Sequence, residues 1–453
     1  FSRPSADSRL IARRRETPLV GDHLPPTVTV IGVDDTDSRE RGMCTTYLAA
    51  RIAERIEAAG GTVQERLLIR LNPAVERKTR GNAALAIHTD LDADRAAAIA
   101  RDELEPLAET DDPRTSPGLV VADCDPADVP DSVAQFARDA VRQFHSLDDA
   151  LDLAAAAGFD TDGWAGGHGR IGALAAVGAA AAFSEWTYEL IAYREFDRCG
   201  TPRAVDEASL FAAADEAYPD AWDTVDRVED EAVCVPSAPG PILYGLRGDD
   251  PAVLAAMADR IHSEPVERTA LFRTNQGTDA HLRDVAVADL STLRDGRAYR
   301  VDCVVAGDPE TRAGGHVFAP IRGDEGETID AAAFEPTKRF RDRVRALRAG
   351  DELTVCGELG EGTLKLEKFA VRGLNRTAKR TPVCPDCGNT MGSAGRNQGY
   401  RCRDCGTNAP GKTEAQIDRD LERGWYEVPP CARRHIAKPL VRGGFDAPTH
   451  PER

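Results

Sequence analysis

Four of the eleven cysteines constrain this 453-residue chain more than any other feature. Cys384-Pro-Asp-Cys387 and Cys402-Arg-Asp-Cys405 form C-x2-C-x14-C-x2-C, and Gly388 and Gly406 follow the second cysteine of each pair. Glycine there permits the positive φ that turns backbone N–H groups toward the sulfurs, so each pair reads as a metal knuckle. Four thiolates close a tetrahedral sphere, which makes Zn²⁺ a structural ion here. The other cysteines are isolated, such as Cys303 and Cys356, and the total is odd. A secreted disulfide framework is therefore excluded in favour of a reducing cytoplasm.

Upstream, the hydrophobic pattern changes character twice. Residues 28–33 read as a buried β-branched strand, 43–58 as a helix, 63–71 and 83–88 as strands, and 92–107 as a helix. That alternation gives an α/β or α+β domain over 28–150. A second block, 151–280, opens with an Ala-rich helix after Gly169 and includes strands at 187–193 and 241–247. It is too small for a doubly wound sheet, and a ferredoxin-like sandwich fits. Within 285–372 the pattern turns to β, with strands at 299–306, 316–321, 327–334, 352–359 and 363–371 and one helix, 337–348, between the third and fourth. That is the element order of an OB-fold barrel. A zinc ribbon, 382–408, and a basic tail, 409–453, complete a multidomain α+β chain. Residues 1–27, with Arg13, Arg14 and Arg15 but no apolar core pattern, read as a disordered or artefactual extension. The apolar run 171–183 falls short of the ~20 residues a bilayer needs.

Charge sharpens the picture. The net charge is −19, and only seven of the 57 basic residues are lysine, a composition that suits a salty cytosol. From Gly373 onward, fourteen basic residues face nine acidic ones, a surplus of five on an otherwise acidic body. A basic end beside an OB-fold and a zinc ribbon points to a polyanion such as RNA. Arg376, Lys379, Arg380, Arg401, Arg433, Arg434 and Lys438 are the candidate phosphate contacts, each of which reads equally as a solvated surface charge.

Two motifs suggest chemistry. Gly32-Val-Asp34-Asp35-Thr-Asp37-Ser places three carboxylates at a strand's carboxyl end, a plausible Mg²⁺ site for nucleotide phosphates, with Asp34 and Asp35 the candidate ligands. Gly42-Met-Cys-Thr45-Thr46 follows at a helix N-terminus, where hydroxyls and free N–H groups can hold a phosphate. On spacing alone, an Asp-rich turn that caps a helix fits as well. Lys78-Thr-Arg80-Gly-Asn82 supplies cations of the kind that neutralise a transferring phosphoryl group, or a solvated hairpin turn. Gly406 to Thr413 satisfies the P-loop expression, but a zinc knuckle precedes it and Pro410 removes a cradle N–H, so the match is accidental. Gly166-Gly-His-Gly169 reads as the entry to the Ala-rich helix rather than as a phosphate loop.

These motifs fall in one order: Ile31-Gly-Val-Asp-Asp-Thr-Asp37, Gly42-Met-Cys-Thr-Thr-Tyr47, Lys78-Thr-Arg-Gly-Asn82, Ile171 to Gly178, Tyr188 to Arg194, Arg273-Thr-Asn-Gln-Gly-Thr-Asp-Ala-His281, Gly314-Gly-His-Val317, Phe334-Glu-Pro-Thr-Lys338, the cysteine pairs, Tyr426 to Pro430 and Ala432-Arg-Arg-His435. From about residue 28 to 445 the chain resembles the archaeal isoleucine-tRNA 2-agmatinylcytidine synthetases, the TiaS family, and its composition resembles a haloarchaeal member. The resemblance implies a kinase-like ATP-binding domain, a ferredoxin-like domain, an OB-fold and a zinc ribbon. It implies a cytoplasmic ligase that uses ATP and agmatine to convert the wobble cytidine of the CAU-anticodon isoleucine tRNA to 2-agmatinylcytidine (agmatidine) for AUA decoding, through phosphorylation of the C2 oxygen. By the same resemblance Asp34, Asp35 and Asp37 organise Mg²⁺ and the reacting groups, Thr45 is an autophosphorylated threonine, and Lys78 contacts the ATP phosphates. Thr46, Arg80 and Asn82 support the nucleotide. No membrane and no obligate protein partner enter this reading. The contrasting reading is a non-catalytic RNA-binding protein built on the OB-fold and ribbon, which leaves the carboxylates and the lysine turn without a purpose.

Overall fold

The computed structural model describes residues 28–76, 78, 81–285 and 289–453; the extension expected over residues 1–27 lies outside them. The first part runs β1 (Thr29–Asp34), α1 (Thr45–Ala58), β2 (Val63–Arg70), β3 (Ala83–Thr89), α2 (Ala93–Leu107), β4 (Gly118–Ala122), α3 (Asp131–Ala140), α4 (Leu147–Ala157), β5 (Asp160–Gly163) and α5 (Arg170–Ala182). It continues with β6 (Thr187–Arg194), α6 (Glu207–Ala217), β7 (Ala221–Trp222), β8 (Ile242–Gly248), α7 (Pro251–Ala258) and β9 (Val266–Thr274). All nine strands form one sheet, in the order β5-β4-β1-β3-β2-β9-β6-β8-β7.

Strand alternation decides which helix covers which face. Ile31 and Val33 of β1 point into a core with α1 and α2, while Val30 packs into the core of α3, α4 and α5 on the opposite face. Helix ends follow local chemistry: Asp92 and Ser146 cap α2 and α4 through their side chains, and Gly158 ends α4 in the left-handed conformation at φ 74°. Residue 150 falls inside α4, and the elements that follow it, β5 and α5, complete the first half of the sheet. The second half, β6, β8 and β9, is antiparallel and carries α6 and α7 over Leu190, Ala192 and Leu243. The halves join at β2 and β9 through two parallel pairings, Leu67 with Arg273 and Leu68 with Thr274. The Asn275 amide then extends the ladder, accepting from Arg70 N at 2.8 Å and donating to Arg70 O at 3.1 Å.

The third part contains β10 (Leu282–Val285), β11 (Arg297–Val305), β12 (Glu310–Thr311), β13 (Val317–Arg322), β14 (Thr328–Ala333), α8 (Phe340–Arg345), β15 (Glu352–Gly360) and β16 (Thr363–Gly373). Strand β11 pairs with β13 and β15, β13 with β14, β14 with β16, and β16 with β15. Five strands thus close a barrel in the OB-fold order expected from the sequence. The helix is shorter than the expected 337–348: Glu335–Thr337 is a 3-10 turn, and Lys338 at φ 49° separates it from α8. Strands β17 (Thr377–Arg380), β18 (Gly392–Ser393), β19 (Tyr400–Arg401), β20 (Asn408–Ala409) and β21 (Thr413–Gln416) build the ribbon, and the P-loop-like segment forms parts of β20 and β21 with no helix after it. Strand β22 (Gly424–Glu427) returns to pair with β16, and β23 (Thr449–His450) pairs with β22. No helix among the described residues is long and apolar enough to cross a membrane.

Candidate active site and metal centre

Close approach of α5 to the sheet creates the site. Gly32 and Asp34 share the strand face toward this helix. A Cβ on Gly32 would meet Ala173 O at 2.2 Å, and one on Gly118 would meet Arg170 N at 2.0 Å. The first turn of α5 therefore rests directly on the ends of β1 and β4, and Gly172 leaves the space that the Asp34 carboxylate occupies. Before the helix, His168 and Gly169 line a cleft of about 450 Å³ together with Asp34, Asp35, Asp37, Lys78 and Asn82. The loop read from sequence only as a helix entry is thus part of the wall.

The carboxylates are not equivalent. Asp34 is buried and accepts Asp35 N at 2.7 Å; burial first, and then the neighbouring Asp35, hold its pKa well above the ordinary carboxylate value. Asp35 adopts a left-handed φ of 59°, and its Oδ2 accepts Ser116 N at 2.9 Å. Burial pushes its pKa up to about 7, against that hydrogen bond. A cation bound beside the two carboxylates would reverse both shifts. Across the cleft, burial lowers the pKa of Lys78. Asn82 is fixed by Nδ2 donating to Asn72 O at 2.9 Å. Arg80 lies outside the described residues.

Thr45 and Thr46 open α1 after an uncapped Cys44, as expected, but neither lines the cleft. Thr45 is 5% exposed, and its hydroxyl lies 3.1 Å from that of Thr36. Sequence reasoning missed Gln143, Phe144 and His145, which also line the cleft. Phe144 is 54% exposed, the kind of aromatic surface on which a base stacks, and only that exposure marks it. Ser116, which orients Asp35, carried no sequence signal.

In the ribbon, one sulfur from each of Cys384, Cys387, Cys402 and Cys405 lies within 4.8 Å of the others. Gly388 and Gly406 both stand at φ 75°, and their N–H groups donate to Cys384 O and Cys402 O at 2.9 and 3.1 Å. The repeated knuckle suits four-coordinate zinc. Arg376, Lys379, Arg380 and Arg401 are exposed on or beside it. The other three basic candidates need correction, because they are engaged inside the protein. Arg433 is 3% exposed and paired with Asp223 and, at 2.8 Å, with Glu427. Arg434 is held by Glu367 and, at 2.9 Å, by Glu358, and Lys438 reaches Glu185 at 3.0 Å. A phosphate could reach Arg433 only by displacing two buried carboxylates.

A nucleotide-sized acidic cleft joined to an OB barrel and a cysteine ribbon defines a class: a phosphoryl-handling enzyme equipped with nucleic-acid-binding modules. Comparison narrows it. Residues 30–91 match the TiaS TCKD domain, 167–281 the TiaS FLD domain and 381–421 the TiaS C-terminal zinc ribbon domain. The isoleucine-tRNA 2-agmatinylcytidine synthetase TiaS of Haloquadratum walsbyi is 58% identical over 465 aligned positions, covering 94% of this chain and all of that protein. Its Methanosarcina mazei counterpart is 45% identical, over 91% of this chain and 97% of that protein. A solved complex of a TiaS with its isoleucine tRNA and ATP superposes with a TM-score of 0.86 at 40% identity, covering 94% of this chain and all of that one. A complex of TiaS with the same tRNA, AMPCPP and agmatine gives 0.83 at 37%, with the same coverage. The chain belongs to the TiaS family, the isoleucine-tRNA 2-agmatinylcytidine synthetases.

Proposed function

We infer that this protein uses ATP to join agmatine to C2 of the wobble cytidine in the CAU anticodon of an isoleucine tRNA, forming agmatidine. The observation that carries this reading is the convergence of Asp34, Asp35, Asp37, Lys78 and Asn82 on one cleft, in a chain matched over 94% of its length by a synthetase of that activity. A pyrimidine C2 oxygen leaves poorly as oxide. Phosphorylation of O2 makes it part of a phosphate, which departs with its C–O electrons when the agmatine amine bonds to C2 and loses a proton.

The cleft is suited to the phosphoryl half of this reaction. Lys78, at the edge of the acidic cluster, neutralises phosphoryl charge, and burial keeps that interaction strong. Asp35 lines the same cleft, with its Oδ2 held by Ser116 N at 2.9 Å. Asp34 and Asp35, adjacent in the cleft wall, would hold an oxygen-liking Mg²⁺ ion together with phosphate oxygens, and the ion would offset the phosphate charges. Phe144, exposed in the cleft wall, offers a face for the adenine. Support for Thr45 as a phosphate acceptor is weaker: its hydroxyl is covered, so the Gly42–Thr46 segment must lift before ATP can reach it. Zn²⁺ on the four cysteines would rigidify the ribbon as an RNA contact. All eleven cysteines are free of disulfides, as suits a protein working in a reducing cytosol.

The test is nucleoside mass spectrometry of CAU-anticodon isoleucine tRNA after incubation with protein, Mg²⁺, ATP and agmatine. The expected product is cytidine plus agmatine minus water, absent with Asp35→Ala. Tight tRNA binding with no ATP consumed and no mass change would leave a non-catalytic RNA-binding protein.

A further inference from the structure

Between the acidic cleft and the barrel stands a buried amide, Asn72. It follows β2, is 2% exposed, and sits between Leu71 and the cleft-lining segment that begins at Ala74. Its backbone N–H donates to the carbonyl of Ala140, the last residue of α3, at 3.0 Å. Its own carbonyl accepts from Asn82 Nδ2 at 2.9 Å, while Leu71 N donates to Asn82 O at 2.9 Å. The segment that carries Lys78 therefore leaves the sheet at Asn72 and is clipped back onto residues 71 and 72 by Asn82. Lys78 and Asn82 both line the cleft.

The side chain of Asn72 reaches the third part of the molecule. Nδ2 donates to Gly296 O at 3.0 Å, and Oδ1 accepts from Ala74 N at 3.0 Å. Gly296 immediately precedes β11, and its N–H donates to Leu359 O of β15 at 2.8 Å, so the barrel sets its place. It stands at φ 77°, and a Cβ on it would lie 2.7 Å from Phe144 Cε2. Barrel backbone thus abuts a ring that lines the cleft. A carbonyl only accepts and an N–H only donates, so the place demands a short side chain with one donor and one acceptor. All four polar groups of Asn72 are engaged, on α3, the Lys78 segment, its own loop and the barrel, where an unmade bond is costly.

We propose that Asn72 is a positioning residue that registers the barrel against the catalytic cleft and holds the Lys78 segment where the transferring phosphoryl group needs it. Asn72 does not itself line the cleft, and it acts through Asn82 and Lys78. The inference rests on the synthetase reading above, in which the base to be phosphorylated belongs to an RNA gripped elsewhere by the barrel and ribbon. Such a base meets the cleft productively only if the two parts are fixed to within about 0.5 Å of each other.

The test uses the full chain with CAU-anticodon isoleucine tRNA, Mg²⁺, ATP and agmatine. It reads kcat and KM per folded molecule, with AMPCPP affinity measured in the absence of tRNA. Asn72→Asp keeps the acceptor for Ala74 N and both backbone bonds but sets an oxygen against Gly296 O. It should lower kcat about 10- to 100-fold while AMPCPP affinity and KM for ATP stay within about threefold. Gly296→Ala disturbs the same tie from the barrel side, should show the same split, and serves alone if Asn72→Asp does not fold. Because both substitutions break one tie, the double variant should stay within about threefold of the slower single variant. A melting temperature that drops while kcat holds would make Asn72 purely structural and overturn the proposal. A loss of AMPCPP affinity as large as the loss in kcat, or losses that multiply in the double variant, would overturn it too. A wild type that makes no product overturns the synthetase reading itself, and the registration built on it.

Discussion

Substituting Gly172 by alanine tests whether α5 holds the catalytic carboxylate in place. The new Cβ would lie 1.9 Å from Asp34 Oδ2 and 2.7 Å from Asp34 Cγ. A relaxed C···O contact is about 3.3 Å, so the carboxylate or the helix must move by about 1.4 Å. Helix α5 cannot easily retreat from the sheet, because α3 and α4 pack against it and a Cβ on its Gly178 would already meet Val133 O of α3 at 2.6 Å. The carboxylate therefore moves, weakening its bond from Asp35 N. Overpacking of this kind costs about 1–3 kcal/mol of stability. Displacement of a reacting group by about 1 Å costs about 10²-fold in turnover. Gly178→Ala is the matched control: its Cβ would lie 2.6 Å from Val133 O, a backbone clash on the same helix but remote from the cleft. ATP consumption and agmatine incorporation, measured per folded molecule with melting curves alongside, separate the two. Gly172→Ala should lose about 10²-fold in turnover, whereas Gly178→Ala should melt earlier and keep its turnover within about threefold. Equal losses in both variants, or full turnover in Gly172→Ala, would refute positioning by α5.

Other outcomes follow from buried groups. His88 and His281 are both held near pKa 4, mainly by burial, against 6.5 in the unfolded chain. The unfolded state therefore binds protons first, and each histidine should remove up to about 3 kcal/mol of stability as pH falls from 6.5 to 4, with no such loss above 6.5. Denaturant titrations at several pH values, with His88→Gln as comparison, measure one share of that slope. Arg433→Ala should destabilise the protein by about 3–5 kcal/mol, since it leaves Asp223 and Glu427 buried without their cation; an unchanged melting temperature would contradict this. Cys384→Ser should abolish binding of one zinc per chain, read by elemental analysis, and weaken tRNA affinity while nucleotide binding in the distant cleft persists.

How much of this was legible in the sequence depends on how local the cause is. The five barrel strands appear within a few residues of their expected positions because each carries its own β-branched alternation and turn. Both knuckle glycines stand at positive φ, since the constraint spans only four residues. The single nine-stranded sheet was not legible. Its halves join through two backbone pairings and one asparagine amide, between segments about 205 residues apart. Part of the cleft lining escaped for the same reason: Gln143, Phe144 and His145 follow a helix whose packing, not its composition, brings them to the same cleft as Asp34.

The basic tail shows where charge counting fails. The fourteen cations after Gly373 suggested a surface for RNA, yet six of them pair with acidic residues of the body: Arg419 and Arg434 with the barrel, and four with the nine-stranded sheet and its loops. Arg433 meets Asp223, Lys438 and Arg442 meet Glu185, and Arg453 meets Asp215. These pairs span about 210 to 257 positions, so no window on the sequence could balance them. They make the segment after the ribbon a strap that ties the barrel to the nine-stranded sheet. Exposed positive charge is left in and beside the ribbon, Arg376, Lys379, Arg380 and Arg401 among it. In a chain of net charge −19, that concentration matters more than the total. Screening at about 1 M salt reaches only about 3 Å, so phosphates feel cations they touch and little else. Each phosphate contact releases counterions and so weakens as salt rises; neutralising these four residues should flatten the salt dependence of tRNA binding and cost more affinity at low salt than at high salt. An unchanged salt slope would show that they do not touch phosphates.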